Sequence, residues 1–146
     1  GIRVVQARLG VVLSRRGGAL KKMLFPFQMG VGGKLGSGRQ YMSWIELDDV
    51  VRSITYAINT ASIKGPVNVV APAAATNAEF TRALGKALSR PTFAPVPEFV
   101  VRLAFGEMGE ALLLASQRVE PRRLLAAGFQ FQFPALDAAL RHALAH

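Results

Sequence analysis

Chemistry needs acids, bases, nucleophiles or metal ligands held close together, and this sequence offers few of them. Its two histidines, His142 and His146, fall among the last five residues, and it has no cysteine. Acidic side chains number nine, and Asp48-Asp49 is the one adjacent pair. Such a pair invites general acid–base chemistry. The structural alternative is preferred: at the start of an apolar-periodic run, Asp48 is an N-cap and Asp49 a first-turn acid favoured by the helix dipole. No Gly-x-Gly-x-x-Gly follows a strand pattern and no His/Cys group has metal spacing, so no metal is expected. The histidines read as solvated tail residues without a partner. No complete active site is present.

Two places could still hold a ligand. Arg39 stands at the exit of a loop dense in glycine (Gly30, Gly32, Gly33, Gly36, Gly38), where backbone N–H groups and a guanidinium could grip an anion. A surface arginine on a loop accounts for it equally well. Ser14 closes a β-rich stretch, and ligands of open parallel sheets gather at strand ends. Gly17 and Gly18, just after it, either admit a ligand to the backbone or form the turn before a helix. Trp44, the sole tryptophan, either walls a pocket or packs in the core, core packing being preferred. Glu107, Glu110, Gln117 and Arg118 could line a cleft or a dimer seam.

The elements that must position these residues follow from periodicity. Ile2-Arg3-Val4-Val5 opens a strand at once, which suggests a chain that starts inside a domain. The stretch from Arg3 to Leu13 is apolar on both faces, as a covered parallel strand would be. Leu20, Met23, Leu24 and Phe27 mark a helix that Pro26 kinks or ends. Tyr41 to Leu47 reads as a strand, then a helix from Asp49 to Asn59 that buries Val50, Val51, Ile54 and Ile58. Val67 to Val70 is a short strand, and Thr76 with Glu79 is a capping box for a helix to Leu88. Pro91 to Pro97 is a link. Beyond it come helical stretches at 99–104, 108–116 and 122–127, broken at Gly106 and Pro121, with Gly128 as a helix-ending glycine. Phe129, Phe131 and Phe133 alternate, predicting a strand with one buried aromatic face. Leu136, Leu140 and Leu144 mark a closing helix.

Composition narrows the function classes. The chain has 146 residues, 51% of them hydrophobic, with a mean hydropathy of +0.27. That is high for a free-standing domain, as if some apolar surface were meant to be covered. The net charge of +9 comes from scattered basic residues whose densest groups are mere pairs, so no nucleic-acid partner is expected. The longest uncharged stretch, Gly65 to Ala78, holds two prolines and falls short of the roughly 20 apolar residues of a membrane span. The lack of cysteine fits a reducing compartment, hence a cytoplasmic location.

Three stretches in order carry a family resemblance: Arg8-Leu9-Gly10-Val11-Val12-Leu13-Ser14; Gly36 through Tyr41-Met42-Ser43-Trp44-Ile45-Glu46-Leu47-Asp48-Asp49-Val50; and Val67-Asn68-Val69 followed by Thr76-Asn77-Ala78-Glu79-Phe80. They resemble the second half of an extended short-chain dehydrogenase/reductase of the nucleotide-sugar epimerase type. Ser14-x-Arg16-Gly17-Gly18-Ala19-Leu20, Gly106-Glu107-Met108 and Ser116-Gln117-Arg118-Val119 through Gly128-Phe129 are similar to a subgroup, the epimerase family proteins with a C-terminal domain of unknown function.

The resemblance implies an α/β fold: a partial Rossmann-like (doubly wound) sheet from the C-terminal half of such an enzyme, with a small helical substrate-side subdomain. Residues 1–90 would be the late strands and helices of the cofactor sheet plus a substrate-side loop, and 91–146 a mostly helical extension. Val11, Val12, Ser14 and Gly17 would lie beside an NAD or NADP nicotinamide; Arg39, Ser43 and Trp44 would face a small-molecule substrate. The family's glycine-rich dinucleotide loop and Tyr-x-x-x-Lys pair lie in its first half. Here Tyr41 and Tyr56 have Ile45 and Thr60 four residues on, so no catalytic residue is assigned and this chain alone is expected to bind no dinucleotide. Met42-Ser43-Trp44 replaces the family's Arg-Asp-aromatic step, and Glu46 stands where a histidine is common. A second reading is an interaction module: an incomplete sheet has an open edge that a partner chain or a homodimer would close.

Overall fold

The computed structural model describes residues 1–146, the side chains at 108–110 and 112 excepted. In chain order the elements are β1 (Val5–Leu9), β2 (Val11–Leu13), α1 (Gly18–Gln28), β3 (Tyr41–Met42), β4 (Trp44–Glu46), α2 (Leu47–Ile58), β5 (Gly65–Val69), β6 (Ala75–Thr76), α3 (Asn77–Leu88), α4 (Glu98–Met108), α5 (Arg122–Ala126) and α6 (Leu136–Ala145), with a π-helical stretch over Gly109–Leu114 between α4 and α5.

The expected first strand is two strands with different partners. β1 runs parallel to β5, with Ala7 opposite Val67, and β2 runs parallel to β4, with Val11 opposite Trp44 and Val12 opposite Ile45. Gly10 is the crossing point. Its N–H donates to the Val69 carbonyl at 3.3 Å, and the Val11 N–H donates to the Ser43 carbonyl at 2.8 Å. A Cβ at Gly10 would fall on the Ser43 carbonyl oxygen, so the change of partner needs glycine. The predicted strand Tyr41–Leu47 is likewise divided at Ser43: β3 pairs antiparallel with β6, and β4 parallel with β2.

Two apolar clusters hold the fold. One joins Leu13, Leu20, Met23, Phe27, Trp44, Phe80 and Leu84 with Val101, Leu113 and Leu140. The other joins Ile45, Val50, Val67 and Val69 with Leu124 and Phe129. Each draws on both sides of residue 90. The parallel pairs and the helices over them make an α/β architecture.

Several helices follow their sequence signals. Thr76 Oγ1 accepts the Glu79 N–H at 3.2 Å, as the capping box requires, and α3 ends at Leu88. Pro26 lies inside the last part of α1. Gly106 breaks the helical dihedrals of α4, and Gly128 takes a positive φ of 90° after α5.

Four expectations fail. α2 begins at Leu47, and its N-cap is Glu46 rather than Asp48: the Glu46 carboxylate bends back to accept the Asp48 N–H at 2.6 Å. The same helix buries Val50, Ser53 and Ala57 but leaves Val51, Ile54 and Ile58 exposed, because no described side chain covers that face. β1 is also exposed along Gln6–Leu9, unlike the covered strand expected. Finally, residues 129–133 form no strand. The Gln132 and Phe133 N–H groups bond the Asp49 carboxylate instead of a ladder neighbour. Their aromatics still pack: Phe129 meets Tyr56 and Phe131 edge-on at 5.4 and 4.8 Å between centroids.

Candidate functional site at the ends of β2 and β4

The parallel pair β2 and β4 ends at Leu13 and Glu46, and two helices leave from those ends. After β2 the chain turns through residues 14–17 into α1. Ser14 is half-buried, and its Oγ accepts the Arg16 N–H at 3.2 Å. Gly17 is extended at φ −173°, a conformation any residue adopts; the left-handed turn falls on Gly18, at φ 71°. After β4 the chain enters α2 directly through the Glu46 cap. Strand ends followed by helix starts are where open α/β sheets collect ligands. A cleft there is lined by Ser14, Arg16, Glu46, Asp48, His142 and His146 among others.

The register brings some sequence-predicted residues together and separates others. Val11 and Val12 lie directly across from Trp44 and Ile45, so the expected cofactor strand and substrate strand are neighbours. Ser43 is buried. Its Oγ donates to the Gln117 carbonyl at 2.9 Å and accepts the Val119 N–H at 2.9 Å. Trp44 is also buried, at 1% exposure, and its indole N–H donates to the Ala73 carbonyl at 3.0 Å. The polar atoms of both side chains are thus engaged within the protein, and the packing role of Trp44 is seen directly. Arg39 is exposed, next to the left-handed Gly38. Its backbone N–H bonds Ser37 Oγ at 3.2 Å. Arg118 lies over the Tyr41 ring, 5.0 Å from its centroid, and the Gln117 N–H donates to the Tyr41 carbonyl at 3.0 Å. Glu107 is exposed, while Glu110 lies outside the described side chains.

The histidine expectation is overturned. His142, far from a solvated tail residue, has its Nδ1 3.1 Å from Glu46 Oε1 and its Nε2 3.5 Å from Asp48 Oδ2. Its ring packs between Phe133 and His146, at 4.3 and 4.5 Å between centroids. Helix α6 lies across the ends of β2 and β4 and carries the ring there. Separation in sequence, 96 residues between Glu46 and His142, hid this group from any spacing test.

Sequence reasoning also missed a set of buried polar side chains around the site. Gln40 donates to the Leu35 and Leu113 carbonyls, each at 2.9 Å. Asn77 Oδ1 accepts the Leu35 N–H at 2.6 Å. Asp49, wholly buried, accepts the Gln132 N–H at 3.0 Å, the Phe133 N–H at 2.8 Å and the Arg52 guanidinium at 2.7 Å. Asp49 is in the first turn as expected, but its carboxylate ties the C-terminal segment to α2. Both its oxygens are engaged inside the protein, away from the half-exposed Asp48 carboxylate.

Residues 96–143 match a family model described as a domain of unknown function, DUF1731. The chain is 51% identical over 144 residues to the epimerase family protein SDR39U1 of Mus musculus, covering 98% of this chain and 49% of that protein. It is 52% identical over 143 residues to the epimerase family protein MT2273 of Mycobacterium tuberculosis, at 98% and 48% coverage. The structure superposes on crystalline human SDR39U1 (isoform 2) with NADPH at a TM-score of 0.91 and 46% identity, over 99% of this chain and 49% of that one. The chain therefore spans about half the length of the relatives it matches. Among the described residues, no helix is long and apolar enough to cross a membrane. With nearly the whole chain aligned, this protein belongs with the C-terminal portion of the epimerase family proteins.

Proposed function

We propose that this chain is the substrate-side portion of an NAD(P)-dependent oxidoreductase or epimerase. It contributes the last parallel strands of a partial Rossmann-like sheet, residues 1–90, and a mostly helical C-terminal extension, residues 91–146. The observation that supports this best is the half-finished sheet. β1 has β5 on one side only, Gln6–Leu9 are exposed, and Val51, Ile54 and Ile58 of α2 stand bare beside it. A relative of twice the length, which was crystallised with NADPH, has the residues to finish such a sheet.

In this reading the backbone at Val11, Val12, Ser14 and Gly17 flanks the nicotinamide, and the Arg39 loop with Ser43 and Trp44 forms the wall towards a small-molecule substrate. Ser43 acts through the 117–119 segment it holds, and Arg39 offers a cation to an anionic substrate. The cofactor would supply or accept hydride. This chain's residues would shape and dry the pocket, while the acid–base pair and the phosphate cradle come from the portion the chain does not contain. A cysteine-free chain fits a reducing compartment such as the cytoplasm.

Calorimetry with NADPH tests the reading. The isolated chain is expected to show no binding, and a protein joining it to the first half of the M. tuberculosis relative is expected to bind. Micromolar binding by the chain alone would overturn the claim that the cradle is missing. The same open edge favours a second reading, a non-catalytic module that completes its sheet with a partner or a second copy. Light scattering on a gel-filtered sample decides it: a dimer supports the module, and a monomer at high concentration removes the homodimer.

A further inference from the structure

The group formed by Glu46, Asp48 and His142 has a chemistry that neither the cofactor nor the substrate reading uses. One oxygen of each carboxylate and one ring nitrogen lie within 4.8 Å of one another. Glu46 is 3% exposed and held on both sides: Oε2 accepts the Asp48 N–H at 2.6 Å, and Oε1 faces His142 Nδ1 at 3.1 Å. A neutral imidazole donates from one nitrogen only. In the tautomer whose Nδ1 hydrogen points to the buried Glu46 oxygen, Nε2 presents a lone pair. That lone pair faces another acceptor, Asp48 Oδ2, at 3.5 Å. Two acceptors aimed at each other repel unless a positive charge lies between them.

We propose that this charge is a divalent transition-metal ion of the zinc type, bound by His142 Nε2 and Asp48 in the cleft at the ends of β2 and β4. Three features favour a metal over a bare proton. A carboxylate that accepts the distal N–H of a ligating imidazole is the usual outer support of such sites, fixing the tautomer and the ring plane; Glu46 stands in that position. His146 follows His142 by four residues, just past the end of α6, with ring centroids 4.5 Å apart, and lines the same cleft. Its exposed side chain would have to rotate to become the third ligand of the proposed site. Asp48 is half exposed, at 54% of its side chain, which leaves an entry path and freedom to close on the ion. Two imidazoles with one carboxylate form a borderline donor set that selects zinc, cobalt or nickel over magnesium and calcium, which prefer oxygen. The ion would pin α6 to the start of α2.

The experiment is calorimetric titration of zinc chloride into the full chain with any affinity tag removed, repeated with cobalt to read its ligand-field absorption. One ion per chain is expected. His142→Ala, His146→Ala and Asp48→Asn are each expected to weaken binding at least tenfold, and Glu46→Gln by about 10–100-fold as a supporting group. Asp137→Asn, away from the cleft on α6, is the unaffected control. His146→Ala and Asp48→Asn change exposed side chains, so they read the site even where His142→Ala unfolds. Absence of zinc uptake overturns the proposal. So does uptake that neither His146→Ala nor Asp48→Asn weakens, because His142 is then only an ion-pair partner of Glu46.

Discussion

The two parallel strand pairs of this molecule are finished to different degrees. The β2/β4 pair is closed. Trp44 and Ile45 are buried beside it, Ser43 ties residues 117–119 to its edge, and Glu46 receives His142 from α6. The β1/β5 pair, continuous with it through Gly10, is open. Each pair has two strands, but here Gln6–Leu9 of β1 are exposed, and the adjoining α2 face shows Val51, Ile54 and Ile58 to solvent. From β1 to β2 the chain thus passes from a bare edge into a packed interior at a single glycine. The closed part contains everything it needs, including partners for nearly all its buried polar atoms; among the described side chains, Thr81 Oγ1 is the one without. The open part leaves Val51, Ile54 and Ile58 of α2 and Leu9 of β1 bare, although β1 also carries Gln6 and Arg8.

The comparison breaks first at Asp49. Two backbone N–H groups and a guanidinium depend on this wholly buried carboxylate. Asp49→Ala strands the part-buried Gln132 and Phe133 N–H groups and the Arg52 guanidinium, and a stranded donor costs about 1–3 kcal/mol when desolvated. We expect the urea midpoint to fall by the equivalent of about 3 kcal/mol with the slope unchanged. A loss of only a few tenths would mean that residues 129–133 hold their place without α2. Ser43→Ala should follow, at about 1–3 kcal/mol, since it leaves the part-buried Val119 N–H and Gln117 carbonyl without their partner. Its useful signature is local: hydrogen exchange should quicken at 116–119 while β1 and β5 keep their rates.

The sequence made the elements legible and their partners much less so. Periodicity placed α1, α3 and α6, and the Thr76–Glu79 spacing marked a real cap. Strand content at 3–13 was plain, yet the exchange of partners at Gly10 was not, because a run of β-branched residues carries no record of what pairs with each half. Asp48 has the residue type of an N-cap, but Glu46 takes that place, its side chain reaching forward to the N–H two residues on. The alternation of Phe129, Phe131 and Phe133 predicted a strand; the ladder bonds a strand needs are met instead by Asp49. Of the site, the run of residues at the end of β2 was legible through its resemblance to a known family. His142 and Gln40 were not, since their partners lie 96 and 73 residues away and no local pattern encodes such a contact.

The smallest expected effect sharpens the comparison most. Ile58 is 67% exposed on the open face of α2. Isoleucines inside a core cost about 2–5 kcal/mol on truncation, whereas substitutions at exposed sites stay within about 0.5 kcal/mol. In the isolated chain Ile58→Ser should therefore leave the urea midpoint almost unchanged, despite removing a large apolar side chain from a helix that looks amphipathic in sequence. In a protein that joins the chain to the first half of a relative, the same change should become destabilising if that half lies over α2. A neutral result in both settings would show that the bare face of α2 stays bare, and would leave the β1 edge as the only seam. A large loss in the isolated chain would show instead that two copies already cover each other's open face.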